Sequence, residues 1–178
     1  MAQVSADALE RARRLRLMVF DVDGVLTDGR LWYGPRGEEL KAFDARDGLG
    51  LQLLGQCGVA AALLSGRRSK ALTMRAAELG LRHVLQGVAE KRPAFEGLLA
   101  QLGLEPLAAG YMGDDLPDLP VLGRCGFACA PPGAHVLALR RAHYVADAPA
   151  GGGAAREVCE YVLGAQGVLE NAVARYLA

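Results

Sequence analysis

The sequence predicts an α/β protein with one central parallel sheet and helices on both faces. Three observations carry this. Short, largely apolar runs too brief for helices recur at 17–20, 59–64 and 107–112. Between them lie stretches of helical period, closed by Gly58, Gly80 and Gly103. Strand and helix then alternate from Asp47 onward, and such units build parallel strands under covering helices. No internal repeat and no linker divides the chain, so one domain over residues 1–178 is expected.

Taken in order, residues 5–16 read as a short amphipathic helix that leads into the apolar strand 17–20. An acidic turn follows. Two half-apolar strands around Gly34-Pro35-Arg36-Gly37 then form a hairpin over about 29–44, projecting near the end of the first strand. Trp32, Tyr33 and Phe43 are by default core residues. Three large aromatics on a projecting hairpin also suit a subunit contact. Residues 47–56 form a helix capped by Asp47, and 59–64 an apolar strand ending at Ser65-Gly66-Arg67. Helix 69–79, strand 83–85, helix 92–102 and strand 107–112 come next. Strands at 127–129 and 143–145 flank a helix at 135–141. After the loop Gly151-Gly152-Gly153, helices are expected at 154–164 and 168–177, with a C-terminal tail over about 165–178.

Composition narrows the function. Hydrophobic residues make up 52% and charged residues 22%, as in ordinary globular proteins. Twenty basic and twenty acidic residues cancel, so no global field favours nucleic acid or an anionic membrane. Residues 48–66 lack acidic and basic side chains, but Gln52, Gln56 and the turn at Cys57-Gly58 divide them into a helix and a strand. The apolar run before Asp21 is too short for a signal peptide. Cys57, Cys125, Cys129 and Cys159 show no zinc pattern and read as reduced thiols of a cytoplasmic protein.

The chemistry concentrates at strand ends. The first strand runs into Asp21-Val22-Asp23-Gly24. Alternate residues of an extended strand share a side, so both carboxylates address one volume. Carboxylates that close need a shared proton or a cation, and a hard divalent metal satisfies them. The same residues also fit a plain turn. The second strand ends in Ser65-Gly66, where a hydroxyl and backbone N–H groups open a helix and suit a phosphate; a plain helix cap fits as well. The third ends in Gly113-Asp114-Asp115-Leu116-Pro117-Asp118, which alone is an acid-rich helix start. In a parallel sheet these ends share one edge and converge. Lys91, just before a helix, is the cation placed to balance them, although most lysines are solvated surface residues. His83, His135 and His143 are not paired at metal spacing. Neither a P-loop nor a dinucleotide fingerprint occurs.

In this order and spacing, Asp21-Val22-Asp23-Gly24, Leu64-Ser65-Gly66, Lys91 and Gly113-Asp114-Asp115-x-x-Asp118 resemble the four motifs of the haloacid dehalogenase (HAD) superfamily phosphatases. More narrowly, the stretch 21–29, the run 41–48, the hairpin and the segment 151–159 resemble the 3-deoxy-D-manno-octulosonate 8-phosphate (KDO 8-phosphate) phosphatase family. The resemblance covers residues 15–170. It implies a three-layer, Rossmann-like HAD fold with the hairpin in place of a cap domain. It also implies hydrolysis of KDO 8-phosphate in lipopolysaccharide precursor synthesis, through an aspartyl phosphate.

Carried over by position, Asp21 is the implied nucleophile and Asp23 the acid and base. The implied metal is Mg²⁺, held by Asp21, the Asp23 main-chain carbonyl and Asp114. Ser65, Gly66 and Lys91 would bind the phosphoryl group, with Asp115 and Asp118 in support. Thr27, Arg67 and Arg156 are implied substrate contacts. Such proteins form homotetramers whose hairpins meet, which makes Trp32, Tyr33 and Phe43 interface candidates, and the glycine-rich segment would cover the substrate. This chain departs from the family pattern at Gly152, where members often carry arginine, and at Ala150, where they carry glycine. Arg156 and Arg67 are the residues available to take over that arginine's contact. Three other readings stay open on the residues alone: a phosphatase of a nonulosonate 9-phosphate, a receiver-type phosphoacceptor domain, and a non-catalytic sugar-phosphate-binding protein.

Overall fold

A computed structural model describes residues 5–177, with the backbone alone at Glu38 and Glu39. Residues 1–4 and 178 of the expected domain, the last also of the expected tail, lie outside the described residues.

Helix α1 (Ala6–Arg13) opens on Ser5, whose hydroxyl accepts the Ala8 N–H at 3.1 Å. Strand β1 (Leu17–Phe20) is buried throughout. Strands β2 (Trp32–Gly34) and β3 (Gly37–Leu40) pair antiparallel as the hairpin. Then follow α2 (Ala45–Gln56), β4 (Ala60–Ser65), α3 (Lys70–Glu78), β5 (His83–Gln86), α4 (Lys91–Leu102), β6 (Ala109–Met112), α5 (Leu119–Leu122), β7 (Phe127–Ala130), α6 (Val136–Arg141), β8 (Tyr144–Val145), α7 (Ala154–Ala165) and α8 (Leu169–Val173).

The main sheet has the order β5-β4-β1-β6-β7-β8, with every pairing parallel. Side-chain alternation along β1 divides the core in two. Met18 and Phe20 face a cluster containing Ala8, Leu51, Leu54, Leu72 and Val162, from α1, α2, α3 and α7. Leu17 and Val19 face Phe95, Leu99, Val121 and Ala138, from α4, α5 and α6. These are the three layers expected, because each helix must bury its apolar stripe on one face of the sheet. Among the described residues no helix is long and apolar enough to cross a membrane.

Several boundaries move, each for a local reason. Asp44, not Asp47, caps α2, its carboxylate accepting the Arg46 N–H at 2.7 Å. Asp47 lies a turn further on and is buried. It accepts N–H groups from Gly153 (3.3 Å) and Arg156 (2.8 Å), which joins α2 to the start of α7. Ser65 ends β4 and caps no helix, since α3 begins at Lys70. Lys91 is the first residue of α4. Pro106 starts a 3₁₀ turn over Pro106–Ala108 that takes the first residues expected in β6. The tail is helical only over Leu169–Val173, then tightens into a 3₁₀ turn at Ala174–Tyr176. Trp32 and Tyr33 are not core residues, being 56% and 64% exposed, whereas Phe43 packs against the core. The four cysteines are free, three of them buried, and burial pushes the Cys125 thiol up to about 12.

Candidate active site

The carboxyl ends of β1, β4 and β6 open into one cleft of about 570 Å³. Asp21, Asp23, Ser65, Gly66, Arg67, Lys91, Asp114, Asp115 and Asp118 line it together. A second hollow of about 520 Å³, beside α2 and the start of β5, is lined by Gln52, Gln56, Arg82 and His83 and by no carboxylate.

Lys91 is the centre of the ion network. Its ammonium lies 2.8 Å from Asp21 and 2.6 Å from Asp118, and all three side chains are buried. Burial works against the Lys91 charge, yet Asp21 and Asp118 outweigh it and raise its pKa. Asp118 is fully occupied. Its Oδ1 accepts Lys91 and the Tyr111 hydroxyl, each at 2.6 Å, and its Oδ2 accepts the N–H groups of Asp114 (3.0 Å) and Asp115 (3.1 Å).

Asp114 is the opposite case. Its Oδ1 is buried without a hydrogen-bond partner, and an orphaned acceptor of this kind asks for a cation or a proton. Burial, then repulsion from Asp21 and Asp118, pushes Asp114 up to about 7. Burial and Asp118 push Asp21 up to about 6 against the pull of Lys91. Oxygens of Asp21, Asp114 and Asp118 lie within 4.8 Å of one another. The donors are all hard oxygens, which suits Mg²⁺. Since Asp118 is spent on its own hydrogen bonds, Asp21 and Asp114 are the side chains left to hold the ion. Gly24 makes room for this: its φ is +86°, and a Cβ there would lie 2.1 Å from Asp114 Oδ2.

The remaining expected contacts divide. Arg67 lines the cleft and donates to the Tyr33 hydroxyl at 3.2 Å, so the hairpin reaches the rim. Ser65 Oγ accepts the Arg67 N–H at 3.1 Å and sits at the cleft floor. Thr27 does not line the cleft; its hydroxyl donates to the Val22 carbonyl and accepts the Gly29 N–H, holding the acidic turn. Arg156 pairs with Glu160 at 2.6 Å on α7, away from the lining. The glycine-rich segment packs on that turn through Gly151 N–H to the Val25 carbonyl at 2.9 Å, and Gly152 offers its carbonyl to Arg46 at 2.8 Å.

No family model matches the chain. KDO 8-phosphate phosphatase KdsC of Yersinia pestis is 46% identical over 169 residues, spanning 95% of this chain and 90% of that protein. The Escherichia coli K12 protein of the same name is 44% identical over the same shares. The chain belongs to the KDO 8-phosphate phosphatase family. Among solved structures of that family, the Moraxella catarrhalis phosphatase, in complex with magnesium, phosphate and KDO, superposes with a TM-score of 0.93. It is 39% identical over 96% of this chain and 98% of its own. The fold is that of HAD hydrolases.

For a KDO 8-phosphate phosphatase family member, two polar residues at this site escape a reading of the sequence. Lys41, just after β3, has its side chain buried and ion-paired with Asp23 Oδ1. Tyr111 reads as a core aromatic of β6, and its hydroxyl, bonded to Asp118, is what places it here. Neither position carries a local signal, because each partner lies beyond its own element.

The raised carboxylates set a pH dependence. Asp21 and Asp114 hold their protons in the fold above the ordinary value of 3.8, so between about pH 4 and 7 the folded protein binds more protons than the unfolded chain. Their contribution to stability is present at acidic pH and is lost as pH rises through about 6 to 7. A dication reverses the sign by favouring the ionised forms. The rise in melting temperature on adding Mg²⁺ is therefore expected to be larger at pH 8 than at pH 5. Melts at the two pH values, with and without Mg²⁺, check this; an equal rise at both would contradict it.

Proposed function

We propose that this chain is a Mg²⁺-dependent phosphatase that converts KDO 8-phosphate to KDO and phosphate. The single observation that carries the reading is the buried Asp21–Lys91–Asp118 network beside an unpartnered Asp114 oxygen. Family membership gives the substrate. Asp21 attacks phosphorus, the bond to the sugar oxygen breaks, and an aspartyl phosphate forms. Asp23 delivers a proton to the departing oxygen, then takes one from the water that hydrolyses the acyl phosphate. Lys91, Ser65 and the Gly66 N–H hold the phosphoryl oxygens, and Asp115 and Asp118 keep the loop in place. Bound Mg²⁺ would draw charge from the phosphoryl group and align it with Asp21.

We read the chain as one domain whose hairpin replaces a cap. The exposed Trp32, Tyr33 and Leu40 support contacts between hairpins of neighbouring copies in a homotetramer. Free, buried thiols fit the reducing cytoplasm. We assign contact with the sugar-acid carboxylate to Arg67, which lines the cleft.

Phosphate release with and without Mg²⁺, on KDO 8-phosphate, a nonulosonate 9-phosphate and a hexose phosphate, tests the reading. Selective, Mg²⁺-dependent release from KDO 8-phosphate is expected. Preference for the nonulosonate would change the substrate, and a stable aspartyl phosphate without turnover would point to a phosphoacceptor. Asp23→Asn should lower turnover of the sugar phosphate by about 10²–10⁴-fold. In single-turnover release of the leaving group, which does not read the shared hydrolysis step, the loss on p-nitrophenyl phosphate should be much smaller, since nitrophenolate needs little protonation. Equal losses in that first step on both substrates would remove Asp23 as the acid.

A further inference from the structure

Tyr111 is a large side chain without solvent exposure, on the strand that runs into the Gly113–Asp115 turn. Its ring is set edge-on against Phe95, with centroids 6.3 Å apart and planes at 79°. Packing of this kind fixes the direction of the hydroxyl. That hydroxyl donates to Asp118 Oδ1 at 2.6 Å, the same oxygen that Lys91 takes at 2.6 Å. The second oxygen of Asp118 accepts the backbone N–H groups of Asp114 and Asp115. The turn between them has no slack. A Cβ on Gly113 would lie 2.5 Å from Asp118 Cγ and 2.7 Å from Tyr111 Cε1.

We propose that Tyr111 is a positioning residue for the divalent cation, acting through Asp118 to fix the loop that presents the Asp114 carboxylate. The proposal rests on the metal site argued above. A buried carboxylate needs its lone pairs met. With phenylalanine at 111, Oδ1 would depend on Lys91 alone, and Lys91 must also serve Asp21 and the arriving phosphoryl group. The tyrosine hydroxyl keeps Asp118 anchored while Lys91 turns to its other partners. Mg²⁺ demands near-ideal octahedral geometry, so a small displacement of Asp114 is costly. Outer partners of ligating carboxylates are typically worth about 10–100-fold in metal affinity.

The test is calorimetric titration of Mg²⁺ into wild type, Tyr111→Phe, Asp118→Asn, their double variant and Asp114→Asn, with a melt of each. Tyr111→Phe is expected to raise the Kd for Mg²⁺ several-fold, up to about 10-fold, because it acts one bond beyond the direct partners of the ligands. Saturating Mg²⁺ should then recover most of kcat. In the Asp118→Asn background the same change should have little further effect, because asparagine has a single acceptor oxygen and cannot serve both the hydroxyl and the Asp114 and Asp115 N–H groups that tie it to the loop. A Tyr111→Phe protein with a lowered melting temperature but a Kd within twofold of wild type would overturn the proposal, since a purely structural hydroxyl behaves so. An undiminished effect in the Asp118→Asn background would overturn the route through Asp118. Failure of wild type to bind Mg²⁺, or binding by Asp114→Asn as tight as wild type, would instead bring down the metal site itself and the proposal with it.

Discussion

Asp21→Asn is expected to lower turnover by at least about 10⁴-fold while making the metal-free protein more heat-stable at pH 8. Asparagine fills the same space but has no carboxylate to attack phosphorus. The stability gain follows from the cost of the native charge. Burial and the nearby Asp118 push Asp21 up to about 6, so at pH 8 the wild-type fold holds an ionised group it would rather protonate. At pH 5 the native carboxyl is largely neutral while the unfolded one is ionised, so the gain should be smaller there than at pH 8 and should vanish only below about pH 4. Phosphate release and melting curves at the two pH values check both halves. Retained turnover would remove Asp21 as nucleophile. A lower melting temperature at pH 8 would mean that the ion pair with Lys91 outweighs the burial. Active sites commonly hold such costly groups, and function explains their retention.

Lys91→Met is expected to be harmful on both counts. It leaves Asp21 and Asp118 buried without their cation, and removing one partner from a buried ion pair typically costs about 3–5 kcal/mol. For a chain of this size the melting temperature should fall by roughly 10 °C. If Lys91 holds the phosphoryl group as proposed, turnover should fall by about 10²–10³-fold. The sign across pH is fixed by the raised pKa of Lys91: its stabilisation is fully present below the ordinary value of 10.5 and is lost only above it. The destabilisation should therefore persist at neutral pH and shrink in acid, where the orphaned carboxylates take up protons. Thermal melts from pH 4 to pH 8 would show this, and a variant as stable as wild type at pH 8 would refute it.

The parts legible in the sequence are those with signals inside one element. Asp21 and Asp23 follow an apolar run, Ser65-Gly66 ends another, and Asp114 to Asp118 ends a third, so parallel topology alone brings them to one edge. Lys91 could be placed near them through the charge they require. Residues that act at long range were not legible. Asp47 obeys the local rule for a helix cap, but its partners are the N–H groups of Gly153 and Arg156. Lys41 and Tyr111 look like an ordinary lysine and an ordinary core aromatic until Asp23 and Asp118 are seen beside them. Trp32 and Tyr33 mislead in the other direction, because their size argues for the core and the hairpin carries them away from it.

The place of β1 in the sheet has a consequence for breathing motions. It lies between β4 and β6, hydrogen-bonded along both edges and buried on both faces. A strand so enclosed releases its amides to solvent only when the whole fold opens. The base that carries Asp21 is thus fixed on every timescale shorter than unfolding. The rim is held differently: there Arg67 donates to Tyr33, and the hairpin forms a two-stranded sheet of its own outside the main one.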